Sequence, residues 1–182
     1  MSTDLTPSQT VGPYFGVSMT PEELTRLVPE GTPDAVVLTG MVTDGEGKPV
    51  PEGMIEIWQA DREGSYDRAP LGEGEAFTGF GRCHTDDDGH YRFLTVKPGP
   101  VPVSSGGMQA PHVNMAIFGA GLVKPLRTRV YFSDETEANR TDPVLALVDE
   151  SRRHLLVAKV DGSVASLDIR LQGDGETPFF EI

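Results

Sequence analysis

A chain of 182 residues with 37% hydrophobic and 24% charged residues has enough apolar material for one domain with its own core, and its composition excludes a disordered polymer. The net charge of −13 excludes nucleic acid as a partner, because phosphate binding needs a clustered Lys and Arg surface. The same charge repels any anionic ligand unless a local cation meets it.

The dense basic cluster available for that task is Lys124-Pro125-Leu126-Arg127-Thr128-Arg129; ordinary surface charge on a strand is the competing reading. The single cysteine, Cys83, rules out an internal disulfide and points to a reducing compartment. The first residues lack a basic region followed by an apolar run, so no signal peptide is visible. No stretch approaches the roughly 20 apolar residues needed to span a bilayer. The expected location is the cytoplasm.

Residues 1–16 have no periodicity, yet Gln9-Thr10-Val11-Gly12-Pro13-Tyr14-Phe15 is apolar and turn-forming, the character of an arm that packs on its own domain or a neighbour. Thr20-Pro21-Glu22-Glu23 reads as a helix start, with Thr20 as the cap and Pro21 first in the helix, ending near Val28-Pro29. Strand patterns follow. Residues 36–42 lead into the turn signal Asp44-Gly45-Glu46-Gly47. Residues 54–60 put Ile55 and Ile57 on one side and Glu56 and Trp58 on the other; Trp58 is expected in the core, and Glu56 is either exposed or paired. Residues 81–85 and 90–95 flank Asp86-Asp87-Asp88-Gly89 and predict a hairpin. The acidic run lacks the alternating ligands and distal Glu of a calcium loop, so a tight turn with Gly89 at positive φ is the better reading.

In Pro111-His112-Val113-Asn114 a strand would point His112 and Asn114 to the same side. His-x-His at that spacing would grip a metal with two imidazoles. An amide in the second position is a poor ligand for a ferric ion, so this stretch reads as a metal site with a piece missing. His84, His90 and His154 have no ligand spacing and read as surface residues. Residues 128–132 predict a strand and Ser133-Asp134-Glu135 a cap for a short helical turn towards Asn139. Asp142-Pro143 begins a second short segment over 144–148, and residues 151–158 fit helix or strand. Asp161-Gly162 marks a last hairpin before an alternating strand over 166–171. The tail Thr177-Pro178-Phe179-Phe180-Glu181-Ile182 is too apolar to be free in solvent. Short strands with regular turn signals predict an all-β fold, a β-sandwich of mostly antiparallel strands with short helices in the connections, as one domain over 1–182.

Taken in order, Leu38-Thr39-Gly40-Met41-Val42, Pro49-Val50-Pro51, Met54 through Asp61, Gly64-Ser65-Tyr66, Asp88-Gly89-His90-Tyr91-Arg92-Phe93, Thr95 through Pro100 and Pro111-His112-Val113-Asn114 resemble the intradiol ring-cleaving dioxygenases. Thr6 through Tyr14, Arg127 through Phe132 and Gln172 through Phe180 narrow the resemblance to the alpha chains of the family's two-chain members, those that act on protocatechuate. The match covers nearly the whole chain. It implies a part in aromatic catabolism: O2-dependent cleavage of 3,4-dihydroxybenzoate to 3-carboxy-cis,cis-muconate.

The resemblance also implies a non-haem ferric ion, Fe(III), held by two Tyr and two His in a partner beta chain. The four ligand positions fall on Tyr66, Val101, His112 and Asn114 here. Two of the four cannot serve, so the resemblance implies no metal and no catalytic residue in this chain, with Tyr66 and His112 left as a satisfied polar pair in a vestigial pocket. Thr10, Gly12, Pro13, Tyr14 and Arg129 match positions that line the mouth of the partner's active site. Gly12-Pro13 suits close backbone approach to a flat ring, and Arg129 suits the substrate carboxylate. The arm, residues 1–35, and the apolar tail are then expected to pack on the beta chain in a higher-order alpha–beta oligomer. Two rivals stand beside this reading: a self-sufficient iron enzyme recruiting Tyr91 or His90, and a metal-free β-sandwich protein that binds aromatic acids alone.

Overall fold

The computed structural model describes residues 19–66, 77–103, 106–119 and 121–181. Its strands are β1 (Ala35–Thr43), β2 (Met54–Gln59), β3 (Phe80–His84), β4 (His90–Val96), β5 (Val101–Pro102), β6 (Met108–Gln109), β7 (His112–Phe118), β8 (Leu126–Phe132), β9 (Val157–Asp161), β10 (Val164–Ser166) and β11 (Ile169–Arg170). One short helix, α1 (Thr136–Thr141), and 3-10 turns at Glu22–Thr25, Leu145–Leu147 and Glu150–Leu156 fill the connections. Among the described residues nine strands form a continuous sheet, in the order β11-β1-β10-β9-β8-β7-β2-β3 with β4 on β1, and β5-β6 is a separate ribbon. Pairing is antiparallel except at β1–β10, β1–β11 and β8–β9. The all-β expectation holds, with short helices in the connections.

The sheet doubles back on itself, and the inward residues of both halves share one core. Strand alternation supplies them: Leu38 and Val42 from β1, Tyr91 and Phe93 from β4, Ile55 and Ile57 from β2, Val113, Met115 and Ile117 from β7, and Val130 and Phe132 from β8. Strand β9 joins the halves, pairing with β10 on one side and β8 on the other. The core is closed where Tyr91 donates its hydroxyl to the Leu167 carbonyl at 2.7 Å. That carbonyl lies so close to Gly40 that a Cβ there would sit 1.8 Å from it. The alternation predicted over 166–171 is present, but the strand is broken into β10 and β11 at this contact, where the Asp168 carboxylate takes the Met41 N–H at 2.9 Å.

Several expectations are corrected. The Asp86–Gly89 turn forms, with Gly89 at φ 79 and Asp86 accepting from Asp88 and His90. Its flanking strands do not make a hairpin ladder: β3 pairs with β2 and β4 pairs with β1, because their apolar faces belong to opposite halves of the core. Thr20 does not cap a helix. The segment is one 3-10 turn with Pro21 at the cap, and the Thr20 hydroxyl lies 3.3 Å from His84 Nδ1. The later part of the arm packs on this chain: Leu27 is in the core and exchanges backbone bonds with Leu94 and Thr78. The apolar tail also docks on its own fold, through Phe180 N to Arg127 O and the Thr128 hydroxyl to Pro178 O, both at 2.8 Å. Asp134 and Glu135 lead into α1 without capping it and hold Lys97 instead.

Candidate functional site

The outward face of β3-β2-β7-β8 carries the polar groups. The register sets Trp58 beside Asn114, Asn114 beside Arg129, His112 beside Tyr131 and Ala116 beside Arg127. Trp58 is therefore not a core residue. It is 40% exposed, with the Tyr66 ring stacked on it at 6.3 Å and an interplanar angle of 6°. Glu56 on the same face is paired: Arg82 donates to its Oε1 through Nε at 2.9 Å and also through Nη2, while its guanidinium lies 5.5 Å from the Phe80 ring centre. A cavity of about 570 Å3 opens over this face, lined by Trp58, Phe80, Asn114, Arg127, Arg129 and Phe180 among others. Leu147, 79% exposed, stands on its rim.

Two glycines let the segment before Tyr66 cross the segment before Val101. Gly64, at φ 82, passes so close to Pro100 that a Cβ would lie 2.0 Å from its carbonyl oxygen, and a Cβ on Gly99 would lie 2.3 Å from the Arg62 oxygen. The loops cross backbone to backbone, and Gly99 N donates to Asp61 O at 2.8 Å. The crossing sets Gly64, two residues before Tyr66, against Pro100, which precedes Val101 in the β5-β6 ribbon, where Val101 pairs with Gln109.

The expected Tyr66–His112 pair is not formed. Tyr66 Oη instead accepts from Asn114 Nδ2 at 3.0 Å, and the same amide donates to Trp58 O at 3.2 Å. Burial raises the Tyr66 pKa, with the Asn114 bond and the Arg129 charge pulling it back. His112, 1% exposed, has Nδ1 at 2.7 Å from the Ala110 carbonyl. A carbonyl only accepts, so Nδ1 carries the proton and Nε2 keeps its lone pair. Burial first, then the Arg129 charge, lowers the His112 pKa to about 4, against the Ala110 bond and the Asp142 charge. The ring is neutral at pH 7.

The donor set does not fit a ferric ion. Val101 offers no ligand atom, Asn114 offers an amide already committed to two acceptors, and the Tyr66 oxygen faces that amide's N–H. Among the described residues no group of three or more His, Cys, Asp or Glu comes together. The two residues suggested as substitute ligands lie elsewhere. Tyr91 is sealed in the core with its hydroxyl on Leu167, and His90 is exposed beside Asp86. His84 and His154 are likewise exposed.

Arg129, the expected carboxylate partner, is half-buried on this face and donates from Nη1 to Gln109 Oε1 at 2.6 Å. Its charge also acts on the Tyr131 hydroxyl, whose proton goes to Asp142 Oδ1 at 3.0 Å. Thr10, Gly12, Pro13 and Tyr14 lie outside the described residues. Gln109, Tyr131 and Asp142 escape a sequence reading. Tyr131 reads as one more strand residue, and Asp142 as a turn residue before Pro143. Alternation gives no signal for Tyr131, because β8 buries Val130, Tyr131 and Phe132 in succession.

The Dioxygenase family profile matches residues 10–173. The chain is 42% identical over 193 residues to the protocatechuate 3,4-dioxygenase alpha chain of Pseudomonas putida, covering 97% of this chain and 96% of that one. It is 33% identical over 161 residues to the protocatechuate 3,4-dioxygenase beta chain of Burkholderia cepacia, covering 80% of this chain and 67% of that one. The dioxygenase domain of a carbohydrate-binding fusion protein from Streptomyces sp. SirexAA-E superposes with a TM-score of 0.64 at 29% identity, covering 93% of this chain and 99% of that one. On the profile match and the near full-length identity, the chain belongs to the intradiol dioxygenase family.

Proposed function

We propose that this chain is the iron-free alpha subunit of a protocatechuate 3,4-dioxygenase, forming one wall of an active site whose ferric ion is held by a beta chain. The complex cleaves 3,4-dihydroxybenzoate with O2 between its two hydroxylated carbons, giving 3-carboxy-cis,cis-muconate. The observation that carries this reading is the Asn114 amide donating to Tyr66 Oη at 3.0 Å, a neutral contact where an iron site needs an open, anionic ligand. A partner is supported by the apolar rim: Trp58 and Leu147 are large, exposed and adjoin one cavity, a surface that a beta chain would cover. We place the complex in the cytoplasm; no helix among the described residues is long and apolar enough to cross a membrane.

Within that complex Arg129 meets the carboxylate of the substrate, supplying a cation that the net charge of −13 otherwise denies an anionic ligand. Thr10, Gly12, Pro13 and Tyr14 line the same entrance and approach the ring. Ring opening itself is the chemistry of the partner's ferric ion.

Iron content and ring-cleavage activity test the subunit reading, measured on this chain alone and after co-expression with the beta chain. A colourless, inactive chain and a coloured, active complex are expected. Stoichiometric iron and turnover in the lone chain would sink the reading. An aromatic acid bound by the lone chain, with no partner co-purifying, would favour a stand-alone binding protein. For Arg129, the Arg129→Ala complex should show a KM for 3,4-dihydroxybenzoate raised about tenfold or more, the scale of a lost charged hydrogen bond. Unchanged KM and kcat would remove Arg129 from the entrance.

A further inference from the structure

Gln109, half-buried at the end of β6, holds Arg129 by accepting from Nη1 at 2.6 Å, and Tyr131 follows two residues on along β8. One carboxylate ties Tyr131 and the backbone beside Gln109. Asp142, fully buried, accepts the Tyr131 proton at 3.0 Å, the Ala110 N–H at 2.8 Å, and the Val144 and Leu145 N–H groups at 2.9 and 2.7 Å. Ala110 directly follows Gln109, so the Asp142 bond pins the backbone from which the Gln109 side chain reaches out.

The chemistry of the holder matters as much as its position. A guanidinium has five donors in a planar fork and loses much rotamer freedom when it is fixed. A carboxylate at position 109 would fix it more firmly and cancel its charge. The amide oxygen of Gln109 is neutral, so it orients the fork and leaves the positive charge for an incoming anion.

We propose that Gln109 is a positioning residue for Arg129, fixing the guanidinium without neutralising it so that its remaining donors are preset for the substrate carboxylate. This rests on the reading of Arg129 given above. Presetting lowers the ordering cost of binding and acts on affinity for carboxylated ligands, not on the chemical step.

The test uses the assembled alpha–beta complex with Gln109→Leu, Gln109→Glu and Arg129→Ala. It reads KM and kcat for 3,4-dihydroxybenzoate and inhibition constants for 4-hydroxybenzoate and for phenol, which lacks the carboxylate. Gln109→Leu should raise KM and the 4-hydroxybenzoate constant about three- to tenfold, with kcat and the phenol constant unchanged. Gln109→Glu, which keeps an acceptor and so the local packing, should raise the same two constants by cancelling the charge. Equal weakening of 4-hydroxybenzoate and phenol would mean a merely structural role and overturn the proposal. If Arg129→Ala weakens carboxylated ligands while both Gln109 variants are silent, the positioning role alone falls. If Arg129→Ala is itself silent, the reading of Arg129 fails and the positioning role falls with it.

Discussion

The core-facing side of the sheet and the outer face of β2, β7 and β8 use polar side chains differently. Facing the core, most such groups bond to backbone: Gln59 donates to Val96 O at 2.8 Å while also accepting from the Thr95 hydroxyl, Tyr91 donates to Leu167 O, and the Thr85 hydroxyl after β3 reaches Val50 O at 2.7 Å. Each is a tie between segments that the chain must close anyway. On the outer face several bonds run from side chain to side chain, Asn114 to Tyr66, Arg129 to Gln109 and Tyr131 to Asp142. Substituting one member there changes what its neighbour presents and leaves the strands paired. The outer face can therefore change what it presents while the inner face keeps the fold.

Substitutions that separate the two faces test this contrast. Gly40→Ala, which thrusts a Cβ to 1.8 Å from the Leu167 oxygen, should cost about 4 kcal/mol in urea unfolding, with any folded fraction retaining its outer face. A normal midpoint would mean that the two halves are held less tightly than the contact requires. Acid acts on the outer face. His112 has its pKa lowered to about 4 from 6.5, so the unfolded chain binds its proton first as pH falls. The stability it contributes is whole above pH 6.5 and drains as the pH drops towards 4, by about 2 kcal/mol at pH 5. In His112→Leu that part of the pH slope should vanish; an identical slope would place the acid sensitivity elsewhere. The smallest effects come from paired tyrosine substitutions. Tyr91→Phe strands a buried carbonyl and should cost about 2 kcal/mol, whereas Tyr66→Phe keeps the stack on Trp58 and should cost less than about 1 kcal/mol. Equal costs would erase the distinction between the faces.

What could be read from the sequence divides along the same line. Period-two patterns located most of the strands, because the inward residues repeat wherever a sheet buries one face. Turn chemistry located the bends at Asp86–Gly89 and Asp161-Gly162, the latter joining β9 and β10 as expected. Pairing was not legible. Whether β3 and β4 continue as a hairpin depends on which half of the core takes Tyr91 and Phe93, a choice settled by β1 rather than by the turn between them. Trp58 was misplaced for a related reason. Its outward position was clear from alternation with Ile57, but its size argued for burial, and the stacked Tyr66 ring that shields it comes from another loop. That valine at 101 and asparagine at 114 are poor ferric ligands was visible from residue type alone. What stands there instead depends on contacts between segments far apart in sequence: the amide on a phenol joins β7 to the loop at Gly64, and the guanidinium on a glutamine joins β8 to the backbone that Asp142 pins at Ala110.

Strand β1 lies between β4 on one edge and, on the other, β10 followed by β11. Its first neighbour is made about fifty residues after it, by the order of synthesis, and its second only when the last strands of the chain emerge. For most of translation the edge of β1 that will receive Val164 to Ser166 and Ile169 to Arg170 is an open row of hydrogen-bonding groups. Long-range parallel closure of this kind folds slowly, since loop entropy is lost before contacts reward it. The nascent chain therefore spends its longest interval with a sticky edge exposed, and expression of this subunit should benefit from slower synthesis or chaperone supply before any change to its sequence.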